Sequence, residues 1–297
     1  MFQYNSSNMK NPDILQRFLF DGTDVRGEIT TLSSSYQDII ALHDYPQTIS
    51  KLFGEFLVAA SLIGASLKQS GMVTVQATGD GPVSTIMAEC SQGQKLRGIV
   101  RGDWDSSKSS TLSDSANLAE VMGSGTLAIT IEPDQGERYQ GIVQMAAADL
   151  SGCLEHYFEQ SAQLLTKIKI AVDQNIASGL LIQQMPITQN FEQAKDDWQH
   201  LSTLMDTLKS NEQLVLSHND QLYRLFHEDD VRLFESQPVS FFCSCSHERT
   251  ERALVSLGEV ELLQTCEEQG LVLITCQFCD QQYQFSENAI KAMLIQN

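Results

Sequence analysis

The placement of cysteines constrains this chain more than any other feature. Cys90 and Cys153 stand alone in the first half, whereas Cys243, Cys245, Cys266, Cys276 and Cys279 fall within the last 55 of 297 residues. Four of these five make two close pairs, Cys243-Ser244-Cys245 and Cys276-Gln277-Phe278-Cys279. Thiolates are soft ligands, and Zn²⁺ accepts a closed tetrahedral shell of four of them. The C-x-x-C half has a common zinc-knuckle spacing. In the C-x-C half, side chains two apart along an extended chain point to one face, so both sulfurs can reach one ion. Cys243, Cys245, Cys276 and Cys279 are therefore the candidate metal ligands, for one Zn²⁺ per chain in the reduced state.

The surroundings fit a small separate unit. Phe241-Phe242 is apolar, Arg249 to Leu263 has a helical pattern with Leu254, Leu257 and Leu262-Leu263 on one side, and Leu271 to Ile274 reads as a short strand. A unit of about 60 residues holds little core of its own. Bound zinc contributes roughly 10–16 kcal/mol to folding in such modules, so this one should unfold without its metal. Spacing leaves two uses open, a purely structural site or a redox switch. Sulfurs joined in disulfides no longer ligate as thiolates. Cα atoms two apart in a strand lie near the upper limit of the roughly 4.4–6.8 Å that a disulfide spans. Oxidation of Cys243 and Cys245 would bend the backbone and should exclude the zinc-bound geometry, and strained disulfides are the readily reduced, regulatory kind.

Other polar candidates carry less. Cys266, Cys90 and Cys153 read as buried thiols. His247 reads as an exposed side chain beside an already complete shell. His43, His156, His200, His218 and His227 show no metal spacing. Gly123-Ser124-Gly125 reads as a turn, and Asp103 and Asp105 are close carboxylates at a Ser-rich loop (Ser106 to Ser115) with no partner base. The chain has no G-x-S-x-G elbow, Walker A loop or dinucleotide G-x-G-x-x-G, so it reads as a non-enzyme. A thiol-disulfide oxidoreductase would place C-x-x-C at a helix start, but Cys276 follows a strand pattern.

Upstream, the first 185 residues mix helix and strand signals. Asp44 to Lys68 repeats apolar residues at spacings of three and four, the mark of a helix. Met72 to Ala77, Val83 to Cys90 and Lys95 to Arg101 alternate as strands, the first two joined by Gly79-Asp80-Gly81-Pro82. Leu127 to Glu132 and Arg138 to Met145 bracket another turn. Leu150 to Gln163 is helical in pattern, and Leu165 to Val172 and Ala177 to Gln184 read as strands. Adjacent hairpins point to an α+β domain rather than regular βαβ winding.

From Gln189 the pattern changes again. Phe191, Ala194, Trp198, Leu201, Met205 and Leu208 form one apolar stripe on a helix. Leu222, Leu225 and Phe226 follow Asn219-Asp220, a candidate cap. Ala177 to Ser236 carries four basic and ten acidic residues. This stripe is either an ordinary linker helix packed on the main domain or one whose docking is conditional on a partner surface.

Charge narrows the partners. The chain has 19 Lys+Arg against 38 Asp+Glu, a formal net charge of −19. Nucleic acid is disfavoured as a partner. No run of about 18 apolar residues argues for a membrane span. Met1 to Pro12 lacks a secretory pattern, so a cytoplasmic, reducing setting is expected.

Cys-x-Cys-Ser-x-Glu-Arg (Cys243 to Arg249), then Leu254, Leu257-Gly258 and Cys276-x-Phe278-Cys279-x-x-x-Tyr283-x-Phe285, resembles the zinc module of the 33-kilodalton heat-shock protein family, redox-regulated bacterial holdase chaperones. Val25-Arg26-Gly27-Glu28, Tyr45-Pro46, Leu52-x-Gly54-Glu55, Leu67-Lys68, Gln76-x-x-Gly79-Asp80-Gly81-Pro82, Arg97-Gly98 and Ala177 to Gln183 with Pro186 are similar to the same family, in order. The resemblance implies a mixed α+β core domain over residues 1–185. It implies an amphipathic, conditionally folded helical linker over 186–236 and a small Cys₄ zinc-binding redox domain over 237–297. It implies an ATP-independent holdase that is inactive when reduced and zinc-bound. Oxidation would form Cys243–Cys245 and Cys276–Cys279 disulfides, release zinc and unfold the switch. Unfolding client proteins would then bind, with the linker stripe Phe191, Trp198, Leu201, Met205 and Leu208 as candidate surface and a homodimer as the oxidised form. The alternative is a constitutive zinc-ribbon binding module for a protein or nucleic-acid partner. Cys266 departs from the pattern by adding a thiol inside the switch domain.

Overall fold

The computed structural model describes residues 12–67, 70–104, 113, 116–188, 190–255 and 259–296. Lys68, Asp105, most of the Ser106 to Ser115 loop, Gln189 and Leu257-Gly258 lie outside them. The chain divides into two compact units, Met1–Phe241 and Phe242–Asn297.

In chain order, the first unit begins with β1 (Ile14–Phe20), β2 (Val25–Leu32), α1 (Ser34–Ile40), α2 (Gln47–Ala65), β3 (Gly71–Gly79), β4 (Val83–Ser91) and β5 (Lys95–Gly102). Then come α3 (Leu118–Met122), β6 (Gly125–Pro133), β7 (Tyr139–Gln144), α4 (Leu150–Tyr157), β8 (Thr166–Val172) and β9 (Ala177–Gln184). The segment after β9 holds α5 (Phe191–Asp206), α6 (Ser210–Val215), α7 (His218–Phe226), β10 (Val231–Leu233), β11 (Gln237–Pro238) and β12 (Ser240–Phe241). The second unit holds α8 (His247–Val255), α9 (Glu259–Gln269), β13 (Leu271–Thr275), β14 (Gln282–Ser286) and α10 (Glu287–Gln296). The protein is thus mixed α+β, as the hairpin signals imply.

Two sheets flank α2. One runs β10-β1-β2-β9-β8, with β11 also on β1; the other runs β12-β5-β4-β3-β6-β7. Phe53, Phe56, Leu57, Val58, Ala60 and Leu62 on α2 are fully buried. A helix apolar on nearly all sides belongs inside a core. Gly179 on β9 lets Val58 and Leu62 close onto the sheet, since a Cβ there would overlap Val58 Cγ1. Each buried Leu- or Phe-sized side chain contributes roughly 1.5–3 kcal/mol. The helix is also apolar enough, at mean hydropathy 1.4, to pass a length-and-composition test for a membrane span, a match that an uninterrupted apolar run does not reveal. It is 72% buried inside the protein, the mark of a core helix.

The sequence signals match α2, β3 to β9 and the stripe of α5 closely. α2 begins after Pro46, whose fixed φ suits a helix start. The Leu150 to Gln163 pattern resolves into α4 and a π turn at Phe158–Ala162, closed by Gln163 at φ 54°. β1 and β2 have no strand reading in the sequence, because both faces of β2 are covered and no alternation survives. Gly27 on β2 is seated under the Phe18 ring, where any Cβ would overlap it.

Two glutamates are held inside this unit. Burial pushes Glu28 up to about 7 against the pull of Arg26 and Arg17. Burial, helped by the Asp149 charge, does the same for Glu55, also to about 7. Glu28 Oε2 has no hydrogen-bond partner among the described residues, which fits a protonated carboxyl.

The helices after β9 dock on the outer face of the first sheet. Leu201, Met205, Leu222, Leu225 and Phe226 pack on Phe18, Phe20, Val25, Ile29, Leu180 and Ile182. Phe226 meets Phe20 edge-on, ring centroids 4.9 Å apart. Asp206 closes the end of α5 onto Lys167 at 3.0 Å and Lys169 at 3.2 Å. α7 starts at His218 under a Ser217 cap, two residues earlier than Asn219-Asp220 suggests, because the Ser217 hydroxyl accepts from the Asp220 amide.

Candidate metal centre

The second unit folds around Leu254, Leu262, Cys266, Val272, Phe285 and Ile290. The single helical pattern over Arg249 to Leu263 resolves into α8 and α9, and β13 and β14 pair antiparallel. A core of this size is small for a chain of its length.

β13 and β14 are joined by a tight turn that carries Cys276 and Cys279. The Cys276 amide donates to Gln281 O at 2.9 Å, and the Cys276 carbonyl accepts from Asp280 N at 2.8 Å. Asp280 takes φ 54°, a left-handed value that short polar side chains tolerate. The turn aims both sulfurs to one side. Cys243 and Cys245 lie on the irregular stretch before α8. Ser246 caps that helix, accepting from Arg249 N at 3.2 Å. Arg249 reaches back to Ser244, donating from Nη1 to its carbonyl at 2.9 Å and its hydroxyl at 2.7 Å. The Ser-x-Glu-Arg part of the motif thus anchors the strap that holds the first pair.

All four sulfurs lie within 4.8 Å of one another. Cys243 Sγ is 3.7 Å from Cys276 Sγ, and Cys245 Sγ is 3.4 Å from Cys279 Sγ. Zn–S bonds of about 2.3 Å in a tetrahedron set sulfurs about 3.8 Å apart. The donor set and its spacing therefore fit a closed four-thiolate shell. All four cysteines are half-buried. With only protons to neutralise them, the thiols cannot all ionise together. Burial and the neighbouring sulfurs hold Cys243 and Cys279 above the ordinary thiol range. At Cys245 burial is outweighed by the Tyr283 hydroxyl and the other sulfurs, and the thiol is lowered.

Tyr283 is the site residue that spacing does not reveal. Its hydroxyl donates to Cys245 Sγ at 3.1 Å, a contact of the kind that orients and tunes metal-bound thiolates. In the sequence it is marked by its place in the Cys276-to-Phe285 motif and by period-2 pairing with Phe285, neither of which shows its contact with Cys245. His247 packs on Phe285 with ring centroids 4.5 Å apart and planes tilted by 40°, meets the edge of Tyr283 and pairs with Glu251 at 3.2 Å, so it adjoins the cluster without being one of the four clustered ligands. Cys266 is buried in the apolar core of this unit, and Cys90 and Cys153 are buried in the first unit.

The stripe residues divide. Leu201 and Met205 are buried on the sheet, and Trp198 and Leu208 are half-buried against them. Leu208 follows the helix end at Thr207. Phe191 stands outside the packed face at 65% exposure, one turn before Ala194, the first residue of α5 to be buried.

Comparison with known proteins points one way. A family profile described as Hsp33 protein matches residues 13–286. The 33 kDa chaperonin of Ectopseudomonas mendocina is 45% identical over 276 residues, 92% of either chain. That of Pseudomonas paraeruginosa is 43% identical over 285 residues, covering 95% of this chain and 94% of its own. A crystal structure of the 33 kDa chaperonin, a heat shock protein 33 homologue, from Thermotoga maritima superposes with a TM-score of 0.81. It covers 95% of this chain and 98% of its own at 20% identity, a likeness of fold.

Proposed function

This chain belongs to the Hsp33 family, and from that premise we propose that it is a redox-regulated, ATP-independent holdase. One observation carries the reading: four sulfurs from two separated segments converge within 4.8 Å in a unit with little core of its own.

The four thiolates would hold one Zn²⁺, which would offset half of their charge and cross-link the Cys243–Cys245 strap to the β13–β14 turn. Tyr283 orients Cys245, and Arg249 holds the strap. Two equivalents of a two-electron oxidant such as hypochlorous acid take four electrons from the four thiolates. Two S–S bonds form, Cys243–Cys245 and Cys276–Cys279, and each hypochlorous acid leaves as chloride and hydroxide. Sulfurs so joined no longer ligate, and the second unit loses the cross-link that stabilises it. The 186–236 segment, functionally distinct from the 1–185 core, then gives up its docking. Its apolar face and the sheet beneath it become available to unfolding client proteins. Leu201, Met205, Trp198 and Leu208 lie on that face, with Phe191 already outside it. The oxidised form is a homodimer, and the protein acts in the cytoplasm as a binding protein, without catalysis.

The test is a peroxide or hypochlorite titration of the reduced, zinc-loaded protein. Zinc release and suppression of aggregation of a thermally unfolding client are followed together, with Cys266→Ser as control. The two signals should rise in step in both proteins. Equal protection by reduced and oxidised forms would replace the switch with a constitutive binding module.

A further inference from the structure

The docked helices hold a buried titratable ring that the cysteine switch does not use. His218, the first residue of α7, is 5% exposed and bridges the helices to the sheet. Its Nδ1 lies 2.9 Å from Gln16 Oε1 on β1, and its Nε2 lies 2.9 Å from Thr31 Oγ1 on β2. Gln16 donates its amide to Phe234 O, so Oε1 is the atom it offers to the ring. That oxygen only accepts. Nδ1 therefore carries the proton, and Nε2 accepts from the Thr31 hydroxyl. The ring is neutral and fully satisfied. A second proton would displace the Thr31 hydroxyl hydrogen and leave a charge between one amide and one hydroxyl.

No carboxylate faces the ring among the described residues. On the loop before β1, Asp13 accepts from the amides of Ser33, Ser34 and Ser35. On β2, Arg26 and Glu28 alternate with Thr31 and lie on the opposite face. On α7, Asp220 turns to Ser217. On α6, Glu212 pairs with Arg224 at 2.7 Å. Lys167 and Lys169 on β8 are taken by Asp206. A cavity of about 160 Å³, walled by Ile14, Thr31, Leu216 and Asn219 among others, borders the ring and gives protons a route to it.

We propose that His218 is an acid-operated latch: a second proton on its imidazole releases α6 and α7 from the sheet with no change at the cysteines. A buried cation without a counter-charge is costly, whereas the released ring is hydrated. Burial holds the docked ring down to about 4, against an ordinary value of 6.5. The neutral ring thus favours the docked state. That preference is complete above about pH 6.5 and is lost progressively as the pH falls towards 4. Between pH 7 and pH 5 the released population rises about 20-fold.

The inference rests on reading the 186–236 segment as conditionally docked, yet its readout is docking rather than chaperone activity. Amide exchange is followed in residues 210–226 of the reduced, zinc-loaded full-length protein from pH 7 to pH 5, corrected for intrinsic rates, with zinc content assayed at each pH. His218→Gln keeps a hydrogen-bonding side chain that cannot charge. Protection should fall about 20-fold in the native protein, stay flat in His218→Gln, and hold within α2 in both. The same fall in His218→Gln, or none in the native protein, overturns the latch. Should the variant fail to dock, ¹⁵N chemical shifts of the native ring decide alone: an Nδ1–H tautomer titrating below pH 5 supports the latch, and titration at pH 6 or above overturns it. Failure of the redox titration leaves this outcome untouched, and failure of the latch leaves the redox reading standing.

Discussion

The first unit is stabilised by redundancy, and the second by a few atoms. α2 is buried between two sheets, and more than thirty apolar side chains share one continuous cluster, so the loss of any one leaves its neighbours in place. Among the described residues the second unit has six buried ones, and it has four clustered sulfurs with the spacing to hold a cation. The difference teaches where control can act. An oxidant that changes four atoms cannot unmake a core of that breadth, but it can remove the main support of a unit built like the second. The docked helices fall between these extremes, with an apolar face of moderate size and polar contacts at its edges.

The largest expected effect tests this contrast directly. Chelation of zinc, or Cys243→Ser, should unfold the second unit, since roughly 10–16 kcal/mol goes with a structural zinc. Calorimetry should show the low-temperature transition vanish and the first unit's transition persist. A single transition lost as a whole would mean that the two units do not fold separately. Next in size is Phe226→Ala, which empties the centre of the docked face at a cost of about 3–5 kcal/mol. Trp198 emission should shift to the red in the reduced protein, with α2 still protected from exchange, and client aggregation should be suppressed without oxidant.

An effect smaller per residue separates the first unit by its pH response. Glu28 and Glu55 are both raised to about 7, so their neutral forms stabilise the fold. That contribution is complete below about pH 4.5 and is lost as the pH rises through 7. Stability of the first unit to urea should therefore weaken by about 2–3 kcal/mol for each of the two glutamates between pH 5 and pH 8. Glu28→Gln should flatten part of the slope, and an unchanged slope would remove Glu28 from the account. The sign is opposite to that at His218, so acid tightens the core while it loosens the helices upon it. The smallest effect is at Cys266, buried away from the cluster. Cys266→Ser should cost about 1–2 kcal/mol in the second unit and leave one zinc per chain, as read by metal analysis.

Much of this was legible in the residues because it rests on local rules. Apolar spacing marks α2 and α5, turn chemistry marks the β3–β4 and β6–β7 hairpins, and two close cysteine pairs mark the cluster. Long-range placement was not legible. β2 is covered on both faces, which erases the alternation that betrays a half-buried strand, and β1 carries apolar Ile14 and Leu19 on opposite faces, which blurs its own. β10 is three residues long and β11 two, and each exists only because β1 offers an edge. Tyr283 reads as one more strand residue until β14 brings it to Cys245. The stripe on α5 shows that a face is apolar but not what it meets, so only the fold shows that Phe18, Phe20 and Ile29 lie beneath it.

The strands at either end of the docked helices have a consequence for reversibility. β9 anchors residues up to Gln184 on β2, and β10 pairs with β1 from Val231, so both ends of the intervening segment are sewn to neighbouring strands of one sheet. If those strands stay paired, undocking produces a closed loop rather than a free tail. Closing a loop costs entropy that grows only slowly with its length, and here that cost is already met before the helices return. The helices meet their sheet at an effective concentration near the millimolar range whatever the protein's dilution. Re-docking is then a first-order event, and a bound client must compete with a surface that never leaves.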